Sequence, residues 1–187
     1  ARVRSPIYSG EIDFIKAQMG MVADTVQRIL TMDVVWNIDY NGAVEVEMQV
    51  RKHPEFPELP RFGLRMFLNK SLNQVAYFGM GPEESYRDKC RASSHGLYMS
   101  RIGDLHEDYI RPQENGSHVD CDYVTISNRS YGLAAVGDET FSFNASVYTQ
   151  EELESKAHNF ELEKSGSSIL CLDYAQNGIG SNSCGPQ

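Results

Sequence analysis

Val26-Gln27-Arg28-Ile29-Leu30-Thr31-Met32-Asp33-Val34-Val35-Trp36-Asn37-Ile38-Asp39-Tyr40-Asn41-Gly42-Ala43-Val44-Glu45-Val46-Glu47-Met48-Gln49-Val50 is the stretch on which the fold turns. Read with a period of two, Val26, Leu30, Met32, Val34, Trp36 and Ile38 share one face, with only Arg28 out of place; Val44, Val46, Met48 and Val50 repeat the pattern. Strands place alternate side chains on opposite faces. The opposite face carries Asp33, Asn37, Asp39, Glu45, Glu47 and Gln49, so one side of this sheet covers a core and the other meets water or a polar partner. Between the runs, Asn41-Gly42 supplies the positive φ values of a tight type I′ turn. The stretch 26–50 is therefore a long antiparallel hairpin. A helix over Val22 to Leu30 is the competing reading, since Val22, Val26 and Ile29 also fit a period of 3.6.

Working outward, the rest of the chain repeats this strand logic. Ile12 and Phe14 suggest a short first strand after Ser9-Gly10. His53 to Pro60 holds three prolines, which remove backbone donors and stiffen a connector. Phe62, Leu64, Met66 and Leu68 make a strand, Asn69-Lys70-Ser71 a turn, and Val75, Tyr77 and Met80 a further strand. Phe78 to Lys89 mixes glycines, a proline and charges, the composition of an ordered irregular loop with its own polar network. Ala92 to Asp108 reads as loop-rich, and Tyr109 to Gly116 as an extended piece ending in a second Asn-Gly turn. Val119, Cys121, Tyr123, Thr125 and Ile126 mark a strand; Phe141 and Phe143 mark another after a Gly137-Asp138 turn. Thr149-Gln150-Glu151-Glu152 is a capping box opening one helix to about His158, with Leu153 and Ala157 inward. Phe160 to Glu163 and Ile169 to Tyr174 read as a strand pair across Ser165-Gly166-Ser167.

At 187 residues, one all-β sandwich domain is the expectation. A net charge of −9 and a pI near 5.0 argue against nucleic acid or an anionic membrane surface as partner. No apolar stretch approaches the roughly 18 residues that span a bilayer. Cys90, Cys121, Cys171 and Cys184 are scattered, without a Cys-x-x-Cys pair, and read as free thiols. The chain begins at Ala1 and stops at Gln187, just after a Gly- and Ser-rich loop with no strand to follow, which reads as a piece of a longer protein.

Tests for catalytic chemistry give little. Glu83-Glu84 and Glu151-Glu152 read as solvated acids, not as a pair flanking a sugar. His53, His95, His106, His118 and His158 lack metal-ligand spacing. The glycines of Gly79-Met80-Gly81 lack the strand-to-helix context of a phosphate loop. No Gly-x-Ser-x-Gly elbow is present. Cys184 is open to three readings, nucleophile, metal ligand or pocket wall, and the last asks least of a small, soft thiol.

Five blocks carry a resemblance: Leu59 to Leu64, Gly79 to Lys89, Tyr109 to Gly116, Phe143 to Thr149, and Gly178 to Pro186. In that order they resemble the C-terminal, small-chain domain of LacZ-type glycoside hydrolase family 2 β-galactosidases. The resemblance implies a β supersandwich of the galactose mutarotase-like type with one short helix, placed last in a bacterial, homo-oligomeric enzyme acting on β-galactosides, cytoplasmic with export left open, and made as one long chain or with a separate small subunit. It implies that both catalytic glutamates, on a TIM barrel, and the magnesium and sodium sites lie in other domains, leaving this chain without catalytic residues or cofactor. It further implies that the loop 177–187 faces the pocket, with Asn182, Ser183 and Cys184 on its wall, and that Asn41 and Gly42 lie near the entrance. The family's best-known members have tryptophan where Cys184 stands, in a loop one residue longer, which implies a roomier aglycone side here. A free-standing carbohydrate-binding module and a mutarotase-like epimerase stay open as alternatives.

Overall fold

The structure, a computed structural model, describes residues 14–22 and 28–180. The chain divides into two compact units, residues 1–58 and 59–187. Described residues are all-β with one short α-helix, the class expected.

In the first unit, β1 (Phe14–Val22), β2 (Arg28–Ile38) and β3 (Val44–Lys52) form an antiparallel sheet in that order. Its register sets Ile38 opposite Val44, Trp36 opposite Val46, Val34 opposite Met48 and Met32 opposite Val50. On the other flank Ile15, Ala17, Met19 and Met21 oppose Trp36, Val34, Met32 and Leu30. Directly opposed residues point to the same side, so the apolar face read from the hairpin extends across three strands. On the polar side, Asp33 is the shared acceptor: Gln18 Nε2 donates to Oδ1 at 2.9 Å and Arg51 Nη2 to Oδ2 at 2.8 Å. Ile12 and Val26 lie outside the described residues, but Arg28–Leu30 are strand, which removes the C-terminal end of the competing helix.

The hairpin turn differs from the expected type I′. Only Gly42 has a positive φ, +85°; Asn41 does not. Gly42 N–H donates to Asp39 O at 2.9 Å, and Asp39 N–H to Ala43 O at 2.8 Å. This is a three-residue loop, a type I turn closed by glycine in the left-handed region. Asp39 explains the choice, because its Oδ1 accepts from Asn41 N–H at 3.2 Å and holds Asn41 in the ordinary turn conformation.

In the second unit, β4 (Arg61–Asn69), β5 (Gln74–Gly81), β6 (Ser94–Arg101), β7 (Ser117–Ser127), β8 (Gly132–Ser146) and β9 (Ser167–Gln176) make one antiparallel sheet in the order β4-β9-β8-β7-β5-β6. β4 and β5 are consecutive in the chain, yet four inter-strand steps separate them. A flat sheet would need ~19 Å there, while the link from Asn69 to Gln74 reaches at most ~17 Å. The sheet must therefore curl, and Met66 and Leu68 of β4 do pack on the same cluster as Val75 and Tyr77 of β5. β8 supplies the bend. Its register jumps from Val136 opposite Tyr123 to Phe141 opposite Cys121, so Gly137 to Thr140 stand against the single residue Asp122. The expected Gly137-Asp138 turn is instead this wide bulge.

Three further expectations are corrected. The stretch expected to be loop-rich contains edge strand β6, whose pattern hides because Gly96 and Ser100 lie on the inner side with Tyr98 while Leu97 and Met99 face out, 60% and 80% exposed. The helix α1 spans Gln150–Ser155, capped as expected by Thr149 Oγ1, which accepts from Glu152 N–H at 3.1 Å. It stops short of His158 because Glu161 Oε2 takes the N–H groups of Ala157 and His158, at 3.0 and 2.9 Å, and Ala157 is left exposed. Phe160 to Glu163 form no strand: Asn159–Glu161 are a 3-10 turn, and β9 pairs with β4 and β8.

Within the curl, Tyr77, His118 and Phe143 pack against one another, with ring centroids 4.5 to 5.2 Å apart, His118 stacked on Phe143 and Tyr77 edge-on to it. His118 Nδ1 lies 3.0 Å from both Met80 O and Tyr77 Oη. Nε2 has no partner among the described residues. Burial lowers the imidazole pKa from its ordinary 6.5 to about 4. Between those values the unfolded ring binds a proton that the folded ring refuses, so stability is full above pH 6.5 and falls as pH drops toward 4, by about 3 kcal/mol in all. Chemical denaturation at pH 7, 5.5 and 4.5 should show this loss, and His118→Phe, less stable at pH 7, should lose less over the same range.

Candidate functional site

The loop after β5 is ordered by buried polar groups, as its composition suggests. Ser85 and Tyr86 are buried. Ser85 N–H donates to Ser117 O at 2.7 Å, Ser85 Oγ accepts from Val119 N–H at 3.0 Å, and Tyr86 Oη accepts from Ser117 N–H at 3.3 Å. Tyr86 and Lys89 close a tight turn, each N–H donating to the other's carbonyl at 2.9 and 3.0 Å. Glu84 is the acceptor at its centre. Its Oε1 receives Lys89 Nζ and Tyr109 Oη, and its Oε2 receives Gly116 N–H at 2.7 Å. Burial alone would push this carboxyl's pKa up, but the donors from Lys89, Tyr109 and Gly116 together outweigh it and hold it below the ordinary carboxylate range. The reading of Glu83-Glu84 as solvated acids is thus corrected for Glu84: its side chain is 3% exposed and fully engaged.

A second group of charges joins β4, β8 and β9 to the loop before β7. Arg61 grips Asp173 with two parallel bonds of 2.7 Å, from Nε and Nη2, and reaches Glu114 Oε2 with Nη1 at 3.1 Å. This is the fork geometry that arginine alone offers a carboxylate. Glu114 Oε1 is approached by Asn144 Nδ2 at 3.4 Å and Gln176 Nε2 at 3.5 Å. Burial raises the Glu114 pKa, and the Arg61 charge only partly offsets it. Asn115, also buried, accepts from Glu107 N–H at 3.0 Å and donates to Gln113 O at 2.8 Å.

The C-terminal loop leaves from this assembly. Asn177 N–H donates to Pro60 O at 2.9 Å, and Gly180 N–H to Asp88 Oδ2 at 2.8 Å. The Asp88 carboxylate occupies the space in which Gly178 would carry a side chain; a Cβ there would collide with it. The five sequence blocks, far apart in the chain, therefore meet through Arg61, Glu84 and Asp88, Glu114, Asn144, and Gly178 with Gly180. The expected wall residues Asn182, Ser183 and Cys184 lie outside the described residues. Asn41 and Gly42 sit exposed at the hairpin tip of the first unit.

Sequence reasoning missed the roles of Arg61, Asp88 and Asp173. For Asp173 a signal existed: a carboxylate directly after the apolar run Ile169 to Leu172 and before Tyr174-Ala175 demands a buried cation. The acids of this cluster are held by the chain's own donors, which suits scaffolding rather than proton transfer. The Cys121 and Cys171 thiols are buried with pKa values pushed up by burial, Cys121 to about 12, and so are not thiolate nucleophiles. Among the described residues no His, Cys, Asp or Glu group of three could hold a metal ion. A cleft of about 450 Å³ lies beside Arg111, Glu114, Gln150 and Leu153, with no aromatic ring in its lining to face a sugar.

Arg61→Ala would leave Asp173, 3% exposed, charged and unpaired, an expected loss of about 3–5 kcal/mol. Arg61→Lys keeps the charge but not the fork and should recover only part of it. Urea denaturation at pH 7 of the three proteins checks both.

The chain matches the family model described as beta galactosidase small chain over residues 4–187. Among curated relatives, it is 48% identical over 159 residues to the β-galactosidase of Actinobacillus pleuropneumoniae, covering 85% of this chain and 15% of that protein. It is 40% identical over 169 residues to that of Staphylococcus xylosus, covering 90% and 17%. With the β-galactosidase of Kluyveromyces lactis it shares 34% identity over 131 residues, covering 70% and 13%. The chain thus spans 13% to 17% of the length of these relatives, and by the family match and these identities it belongs to the β-galactosidase small-chain family.

Proposed function

We propose that this chain is the non-catalytic C-terminal part of a glycoside hydrolase family 2 β-galactosidase that cleaves terminal β-D-galactosides of the lactose type. The observation that carries the reading is the small-chain match over residues 4–187, at a length that is 15% of the first relative. Hydrolysis of a glycoside uses two carboxyl groups flanking the scissile bond. In this reading both come from another domain, as do any magnesium and sodium ions. The chain's share is to close one wall of the pocket with the loop 177–187, using Asn182, Ser183 and Cys184, with Asn41 and Gly42 toward its entrance. The commitment of Glu84, Glu114 and Asp173 to internal donors supports this division of labour.

The test is hydrolysis of a nitrophenyl β-galactoside by the chain alone and by the chain mixed with the remaining polypeptide of its parent. Turnover is expected only in the mixture. Turnover by the chain alone would sink the proposal, and galactoside binding by the chain without restored turnover would favour a binding module. In the active mixture, Cys184→Trp supplies an aromatic face for the aglycone sugar and should lower KM for lactose about threefold to tenfold, with a smaller change for the nitrophenyl substrate.

A further inference from the structure

We propose that Asp88 is a positioning residue for substrate binding: its carboxylate fixes the direction in which the C-terminal loop leaves the sheet. The inference rests on the reading of that loop as a pocket wall. Asp88 stands in the turn closed by Tyr86 and Lys89, and that turn is held on both sides. The Tyr86 ring is buried, with its hydroxyl accepting from Ser117 N–H. Lys89 is tied to Glu84 and reaches Tyr109 Oη at 2.9 Å. The backbone that carries the Asp88 carboxylate is thus fixed.

Two residues of the departing loop are built onto that carboxylate. Gly178 tolerates the carboxylate against its α-carbon only because it lacks a side chain, and Gly180 donates its N–H to Oδ2 at 2.8 Å. With Asn177 N–H bound to Pro60 O at 2.9 Å, three attachments fall within four residues. Cys184 follows Gly180 by up to ~14 Å of chain. Misplacement of a substrate-contacting residue by about 1 Å is already enough to slow an enzyme.

The test has two readouts. In the 187-residue chain, hydrogen-deuterium exchange of the peptide 176–187 should quicken in Asp88→Ala and stay near wild type in Asp88→Asn, which keeps an acceptor oxygen, while exchange in β7 stays unchanged in both. In the assembled enzyme, Asp88→Ala should raise KM for nitrophenyl β-galactoside about tenfold, the worth of one hydrogen bond to a charged group, with kcat changed less and Asp88→Asn within about threefold of wild type. Unchanged exchange in Asp88→Ala overturns the inference outright. Faster exchange with unchanged KM overturns it too, and the triple variant N182A/S183A/C184A then says which step failed. If that variant raises KM, the wall reading stands and the Asp88 inference alone falls; if it leaves KM unchanged, the wall reading falls with it.

Discussion

Asp173 lies in β9 at 3% exposure, where an unpaired carboxylate would cost several kcal/mol to desolvate. Arg61, from the neighbouring strand β4, removes most of that cost with two parallel bonds, and its remaining donor is turned toward Glu114. The pairing fastens β4 to its neighbour β9. Among the described residues β4 pairs with β9 alone, and the ion pair ties its first residue to Asp173 in the C-terminal half of β9. Through Glu114 the same guanidinium orders the loop that leads into β7, and Gly116 on that loop closes over Glu84. One buried pair thus sets the frame on which both loops of the site are hung.

Glu84 and Glu114 show how differently one fold can treat two acids. Glu84 has enough donors to keep its charge despite burial, and its contribution to stability is present above the unfolded carboxylate pKa and lost as pH falls through its lower folded value. Glu114 also meets three donors, but burial and the nearby Asp173 charge outweigh them, the contacts from Asn144 and Gln176 being long; its pKa is raised, and at neutral pH it is a cost that protonation would relieve. That cost is tolerable because Glu114 gathers Arg61, Asn144 and Gln176 around one point. Local energetics are conceded to geometry.

The period-two pattern made the hairpin and its two faces legible, because an apolar face many residues long admits only one register. The turn was not legible, since Asn41-Gly42 fits two turn types and the deciding group is the side chain of Asp39, outside the pair. β6 was hidden by small inward residues, and the end of α1 by Glu161, which captures two N–H groups from beyond the helix. In the site, the five blocks could be recognised one by one, but not that they converge. Arg61 and Asp173 stand 112 positions apart, and no local pattern announces a bond across such a distance. Asp173 was the exception, a charge inside an apolar strand.

A pocket wall carried on a loop faces a conflict between reach and rigidity. Loops can present polar groups to a ligand, but a loop without anchors pays for each fixed residue in conformational entropy. Here the sheet meets that demand before the loop begins, with buried serine, tyrosine and carboxylate groups satisfied by backbone donors on neighbouring strands. The glycines at its root have the complementary property, since their missing side chains let the backbone approach a charge that would otherwise exclude it. Rigidity is supplied by the sheet's polar side chains and proximity by glycine.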